Sequence, residues 1–101
     1  MSSITQRQLE IAIDLIQDIT NMFKSGANSP MLWHAAHSRH ELLGKALRSL
    51  QLFSCLPDFP LKHQVIRMVV DVKDYLDGLD NIRRTLVVMR EAVIHGVEEP
   101  S

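Results

Sequence analysis

Leu61, Val65, Met68, Val72, Tyr75, Leu79, Ile82, Leu86, Met89 and Val93 form an unbroken 4-3-4-3 apolar repeat through the last third of the chain. In a helix this spacing lays one stripe along the whole length, and partner helices must cover that stripe. The repeat therefore predicts an all-α fold and a function exercised by surface contact. It passes Gly78 without a slip of phase. Gly78 lies off the stripe, where a glycine in a helix interior costs only about 1 kcal/mol. A turn in the run Asp77-Gly78-Leu79-Asp80-Asn81 would set Asp74 and Asp77 in a last helical turn and Arg83 and Arg84 in a first one, both opposed to the helix dipole. In a continuous helix Asp80 instead sits one turn before Arg84, the favourable order for an ion pair. One helix over about residues 60–95 is the preferred reading, with a hairpin broken at Gly78 as the alternative.

Two further helices precede it. The first, about 4–24, opens with Ser3 and Gln6 in capping-box spacing and carries the stripe Leu9, Ala12, Ile16, Ile19, Phe23. Ile4, Ile11, Leu15 and Met22 widen that stripe, so this helix is expected to touch two neighbours. Gly26 suits its C-terminal end. Ser29-Pro30 marks the next start, with serine as N-cap and proline at the first helical position. Helix 2 is expected over about 30–53, with Leu32, Ala36, Leu43, Ala46, Leu50 and Phe53 on one face. Arg39 falls in the middle of that face, snorkelling or paired with Asp14 or Asp18. Pro57 and Pro60 bracket the connection that follows. The whole reads as a single antiparallel helical bundle of three helices, or four if the chain turns at Gly78.

Composition bounds the partners. The chain has 101 residues, with 11 basic and 12 acidic side chains and a formal charge of −1. That balance supplies no long-range field for nucleic acid or anionic lipid. The lone cysteine, Cys55, cannot close an intrachain disulfide, which favours a reducing compartment. The first eight residues show no charged-then-apolar signal, and no apolar run approaches a membrane span. A cytoplasmic, non-membrane protein is expected.

Four constellations raise the question of chemistry. His34, His37 and His40 recur at three-residue spacing with Glu41 beside them. Three imidazoles on one helix drift around its axis, so the preferred reading is a hydrated strip and no metal. Asp71, Asp74, Asp77 and Asp80 form a row that cannot wrap an ion. Lys73 to Asp77 and Arg67 to Asp71 make it a salt-bridged face. His40-Glu-Leu-Leu-Gly44-Lys-Ala46 resembles the core of histidine phosphotransfer domains, His-x-Leu-Lys-Gly-x-Ala, with Leu43 where that family has lysine. The resemblance implies His40 as phosphoacceptor, with Gly44 leaving room for a receiver domain. Arg90 and His95 have the Arg-x4-His spacing of helical ribonuclease-type domains of toxin–antitoxin systems, with Glu91 departing from the residue usual after the arginine. That second resemblance implies RNA cleavage at a dimer interface.

No phosphate loop, Ser-His-Asp grouping or CxxC motif accompanies these residues. The expectation is therefore a non-catalytic, cofactor-free interaction module: a small adaptor, chaperone-like or regulatory protein. Its partner is another protein or a second copy of itself. The candidate contacts are Trp33, the residue type enriched at binding hot spots, and the apolar end of helix 3: Leu86, Val87, Val88, Met89, Val93 and Ile94. A rod of 35 residues would be roughly 53 Å long against about 30 Å for helix 1, so its ridge is expected to overhang its own fold and to favour a homodimer.

Overall fold

The computed structural model describes residues 4–25, 30–60 and 65–96, the stretch 65–70 as backbone only. Helix α1 spans Gln6–Lys24, α2 Pro30–Ser49 and α3 Val65–Ile94, with one 3-10 turn, Phe53–Cys55, between α2 and α3. No strand occurs among the described residues. The all-α three-helix bundle is the observed fold. The Ser29 cap, Gly26 and the Arg67–Asp71 pair lie outside what is described.

Helix α3 runs unbroken through Gly78, about 45 Å at 1.5 Å per residue for its 30 residues. Its charges fall as dipole and spacing require. Asp80 holds Arg84 at 2.9 Å and Arg83 at 2.8 Å, and Lys73 meets Asp77 at 3.0 Å. Hydrogen bonding from Arg83, aided by the charges of both arginines, pulls the Asp80 carboxyl below its ordinary pKa.

Helix α1 starts later than the first capping box suggests. Thr5, not Ser3, is the N-cap: its hydroxyl accepts from the Gln8 amide at 3.2 Å, and Gln8 Oε1 accepts from the Thr5 amide at 2.8 Å. The same Ser/Thr-x-x-Gln pattern occurs twice, two residues apart. The second copy also puts Ile4 and Leu9 at the positions of a hydrophobic staple.

Helix α2 ends at Ser49, short of the expected Phe53. The Leu52 amide reaches back to Leu47 O at 2.8 Å and the Gln51 amide to Arg48 O at 3.1 Å. Gln51 sits at φ 61°, in the left-handed region. This is a Schellman termination with glutamine where glycine is usual.

Helix α1 lies against both α2 and α3, while α2 and α3 meet at His40 and Tyr75. Asp18 faces Arg39 and Phe23 faces Trp33, so α1 and α2 are antiparallel. Phe23, near the end of α1, meets Tyr75 at 6.0 Å, and from there the shared core runs back to Leu9 on α1 and forward to Leu86 on α3, so α1 and α3 are antiparallel too. It follows that α2 and α3 run in the same direction, and the chain must cross back between them. Residues 50–60 do so, lying between α2 and α3. Phe53 and Leu56 cover Gly44 of α2, and Pro57 covers Gly78 of α3. A Cβ on Gly78 would stand 3.0 Å from Pro57 Cγ, and one on Gly44 would stand 3.3 Å from Phe53 Cε1. Both glycines exist to let this segment approach.

The core is Leu9, Ala12, Ile16 and Ile19 of α1, Leu43, Leu47 and Leu50 from α2 and its end, and Tyr75, Leu79, Ile82 and Leu86 of α3. The buried face of α2 is turned from the expected one toward Gly44 and Leu47, because the crossing segment covers that side. Phe53, assigned to the helix face by periodicity, instead leads the crossing segment and is 42% exposed.

Candidate functional site

The proposed contact residues separate into two groups. Leu86 is fully buried by its own chain, and Met89 packs against the same core. The ridge of α3 is thus covered from Tyr75 to Met89, and the expected overhang shrinks to the last turns. Val87 is half-buried. Val88, about half a turn away from the core stripe, is 69% exposed, while Val93 and Ile94 are 39% and 48% exposed at the helix end. Ile4, ahead of α1, is also exposed.

Trp33 lies inside an aromatic cluster at the opposite end of the bundle. Its ring meets Phe23 edge-on at 5.2 Å between centroids and Phe59 at 5.8 Å. Phe59, from the crossing segment, is the hub: it also meets Tyr75 at 5.5 Å, His40 at 5.3 Å and His37 at 5.0 Å. Such edge-to-face pairs add about 0.5–1.5 kcal/mol each beyond burial. Trp33 therefore ties α2 to α1 and to the crossing segment, and is half-buried in doing so.

His40 belongs to the same cluster. Its Nδ1 is 2.6 Å from the Tyr75 hydroxyl. Partial burial, reinforced by nearby His37, lowers the His40 pKa below its ordinary 6.5, with Asp58 and Glu41 pulling the other way. Burial pushes the Tyr75 hydroxyl well above its ordinary value. Glu41, Gly44, Lys45 and Arg48 line the groove that His40 borders, and Phe53 and Leu56 approach Gly44 from the crossing segment. Arg48 stacks on Phe53 at 4.3 Å. His40 and Gly44 thus both line this groove, with Phe53 and Leu56 as its far wall.

His37 sits 3.2 Å from Glu41, as one-turn spacing implies. Among the described residues no three His, Cys, Asp or Glu side chains gather as a metal-ligand set. At the far end His95 lies 3.3 Å from Glu91. Arg90 is half-buried, and its Nε atom has no hydrogen-bond partner among the described residues. Arg90 projects from α3, and His95 from the turn that follows it, where its amide bonds to Glu91 O at 3.0 Å.

A third surface escaped the list of candidates. Asp18 and Arg39 mark the outer edge of the α1/α2 pair, and helical spacing aligns Ile11, Leu15 and Met22 with Asp18, and Ala35, Leu42 and Ala46 with Arg39. Ile11 is 42% and Leu42 51% exposed, and the other four are half-buried. Met31, at the start of α2, is 82% exposed. The sequence held a partial signal: Ile11, Leu15 and Met22 broaden the α1 stripe more than its neighbours require. Leu42 had no such signal, because one leucine beside an apolar face reads as scatter.

No described helix is long and apolar enough to cross a membrane. Comparison with protein-family models, curated proteins and solved structures finds no match to this chain.

Proposed function

We propose that this chain is a non-catalytic protein–protein interaction module, a small adaptor, chaperone-like or regulatory protein that works as a homodimer through apolar helical surface. One observation carries the reading: large apolar side chains on the helices and their ends (Ile4, Ile11, Met31, Leu42, Val88, Val93, Ile94) keep 38–82% of their surface exposed around a core that is already closed. Surface of this kind is usually covered by another helix. The α3 end and the α1/α2 edge are the two places where a partner helix would gain most.

The test uses the full chain. Sedimentation of the purified protein should show a reversible self-associated species, and incubation with acetyl phosphate or with RNA should leave both reagent and protein unchanged. Stable phosphohistidine at His40, or RNA cleavage lost in Arg90→Ala, would replace this reading with an enzymatic one.

A further inference from the structure

We infer that the second copy of this chain packs on the α1/α2 edge, so that two antiparallel hairpins close into a four-helix layer around Asp18 and Arg39. This rests on the self-association reading above and specifies the surface it uses.

Two observations carry it, and a third sets its strength. The first is the state of the ion pair. Arg39 Nε stands 3.9 Å from Asp18 Oδ2, beyond hydrogen-bond reach, with the two side chains 38% and 58% exposed. The guanidinium has five donors, and the one hydrogen bond it makes among the described residues is from Nη1 to Ala35 O at 3.3 Å. Both charges thus keep most of their bonding capacity.

The second is the symmetry of the charge. One acid and one base lie side by side at the centre of an apolar strip. A two-fold axis through that centre brings the partner's Asp18 to Arg39 and the partner's Arg39 to Asp18, so the face is complementary to itself. A partner of one charge sign would satisfy only one member of the pair.

The third is size. From Ile11 to Met22 on α1 and from Ala35 to Ala46 on α2 the strip is about 17 Å long. Across the bundle width of 20 Å it covers roughly 330 Å² per protomer. Doubled, this stays below the roughly 1,200 Å² of stable specific interfaces, so the dimer it builds is weak and concentration-dependent. On the other long edge of α2, Phe53 and Leu56 of the crossing segment already lie against Gly44.

The experiment is sedimentation velocity from micromolar to several hundred micromolar, with circular dichroism and thermal melts confirming that each variant is folded. Ile11→Glu and Leu42→Glu alter exposed positions and should weaken the dimer at least about tenfold without loss of helix. Val88→Glu and Ile94→Glu should stay within about twofold of the parent. Asp18→Arg should weaken association, and Asp18→Arg combined with Arg39→Asp should restore it. A dimer indifferent to Ile11→Glu and Leu42→Glu but dissociated by Ile94→Glu would overturn this surface and leave self-association standing at the α3 end. A monomer across the whole range would overturn both. A monomer that binds a different protein through Leu42 would assign the edge to that partner and equally defeat the inference.

Discussion

The two long edges of α2 have opposite fates. On one, Gly44 and the His37/His40 side are roofed by Phe53, Leu56 and Phe59 from the crossing segment, and an aromatic network joins all three helices. On the other, exposed Leu42 and half-buried Ala35 and Ala46 flank a loose Arg39–Asp18 contact. The contrast teaches where this small chain gains its stability. Because α2 and α3 run parallel, their connection has to recross the bundle, and it serves as the fourth element that a three-helix arrangement lacks. Among the described residues the α1/α2 edge has no such cover.

Changes on the roofed edge should be severe. Phe59→Ala removes the hub ring from Phe23, Trp33, His37, His40 and Tyr75, and should lower stability by about 2–3 kcal/mol in urea unfolding. Gly78→Ala should lower it by about 1 kcal/mol. Its added Cβ would press on Pro57, and that strain outweighs the roughly 1 kcal/mol gained in helix propensity. A stabilised Gly78→Ala protein would mean that the crossing segment is not seated against α3.

The roofed edge should also sense pH. The fold lowers the pKa of His40 by half-burying it beside His37, against the opposing pull of Asp58 and Glu41, and it holds the ring against Tyr75. The folded state therefore favours neutral His40. Its contribution is complete above the unfolded value of 6.5 and is lost as pH falls through the lower, folded one. Denaturation midpoints should decline below that value, and His40→Gln should flatten the decline.

Smaller effects should come from Gln51 and Leu42. Gln51→Gly relieves a left-handed backbone at the end of α2 and should stabilise by about 0.5–1 kcal/mol. Leu42→Ala, on the bare edge, should change the stability of a single subunit by no more than about 0.5 kcal/mol.

Much of this architecture was legible in the chain. The 4-3 repeat, the phase through Gly78 and the order of Asp80 and Arg84 gave a continuous α3, and the stripe from Leu9 to Ile19 gave the core of α1. Ser3 and Thr5 both begin a capping box, and local pattern alone does not choose between them. The end of α2 was hidden because Gln51 takes a conformation usually announced by glycine. The crossing segment was hidden for a deeper reason: its contacts join residues far apart in sequence, and no periodicity marks them. That is why Gly78 reads as a possible break when it is the seat for Pro57, and why nothing announces the approach of Phe53 to Gly44. The candidate contacts divide for the same reason, with Val88, Val93 and Ile94 exposed at the end of α3. Leu86 and Trp33 look like binding anchors by residue type, yet the fold uses one in the core and the other in the aromatic cluster.

The most direct measurement of the contrast between the edges is a dilution series of amide and methyl NMR spectra on the labelled full chain. Shifts that move with concentration should cluster at Ile11, Leu15, Met22, Ala35, Leu42 and Ala46, while Phe53, Leu56 and Phe59 stay fixed. Concentration-dependent shifts confined to Val88, Val93 and Ile94, or spectra that do not change at all, would contradict the account.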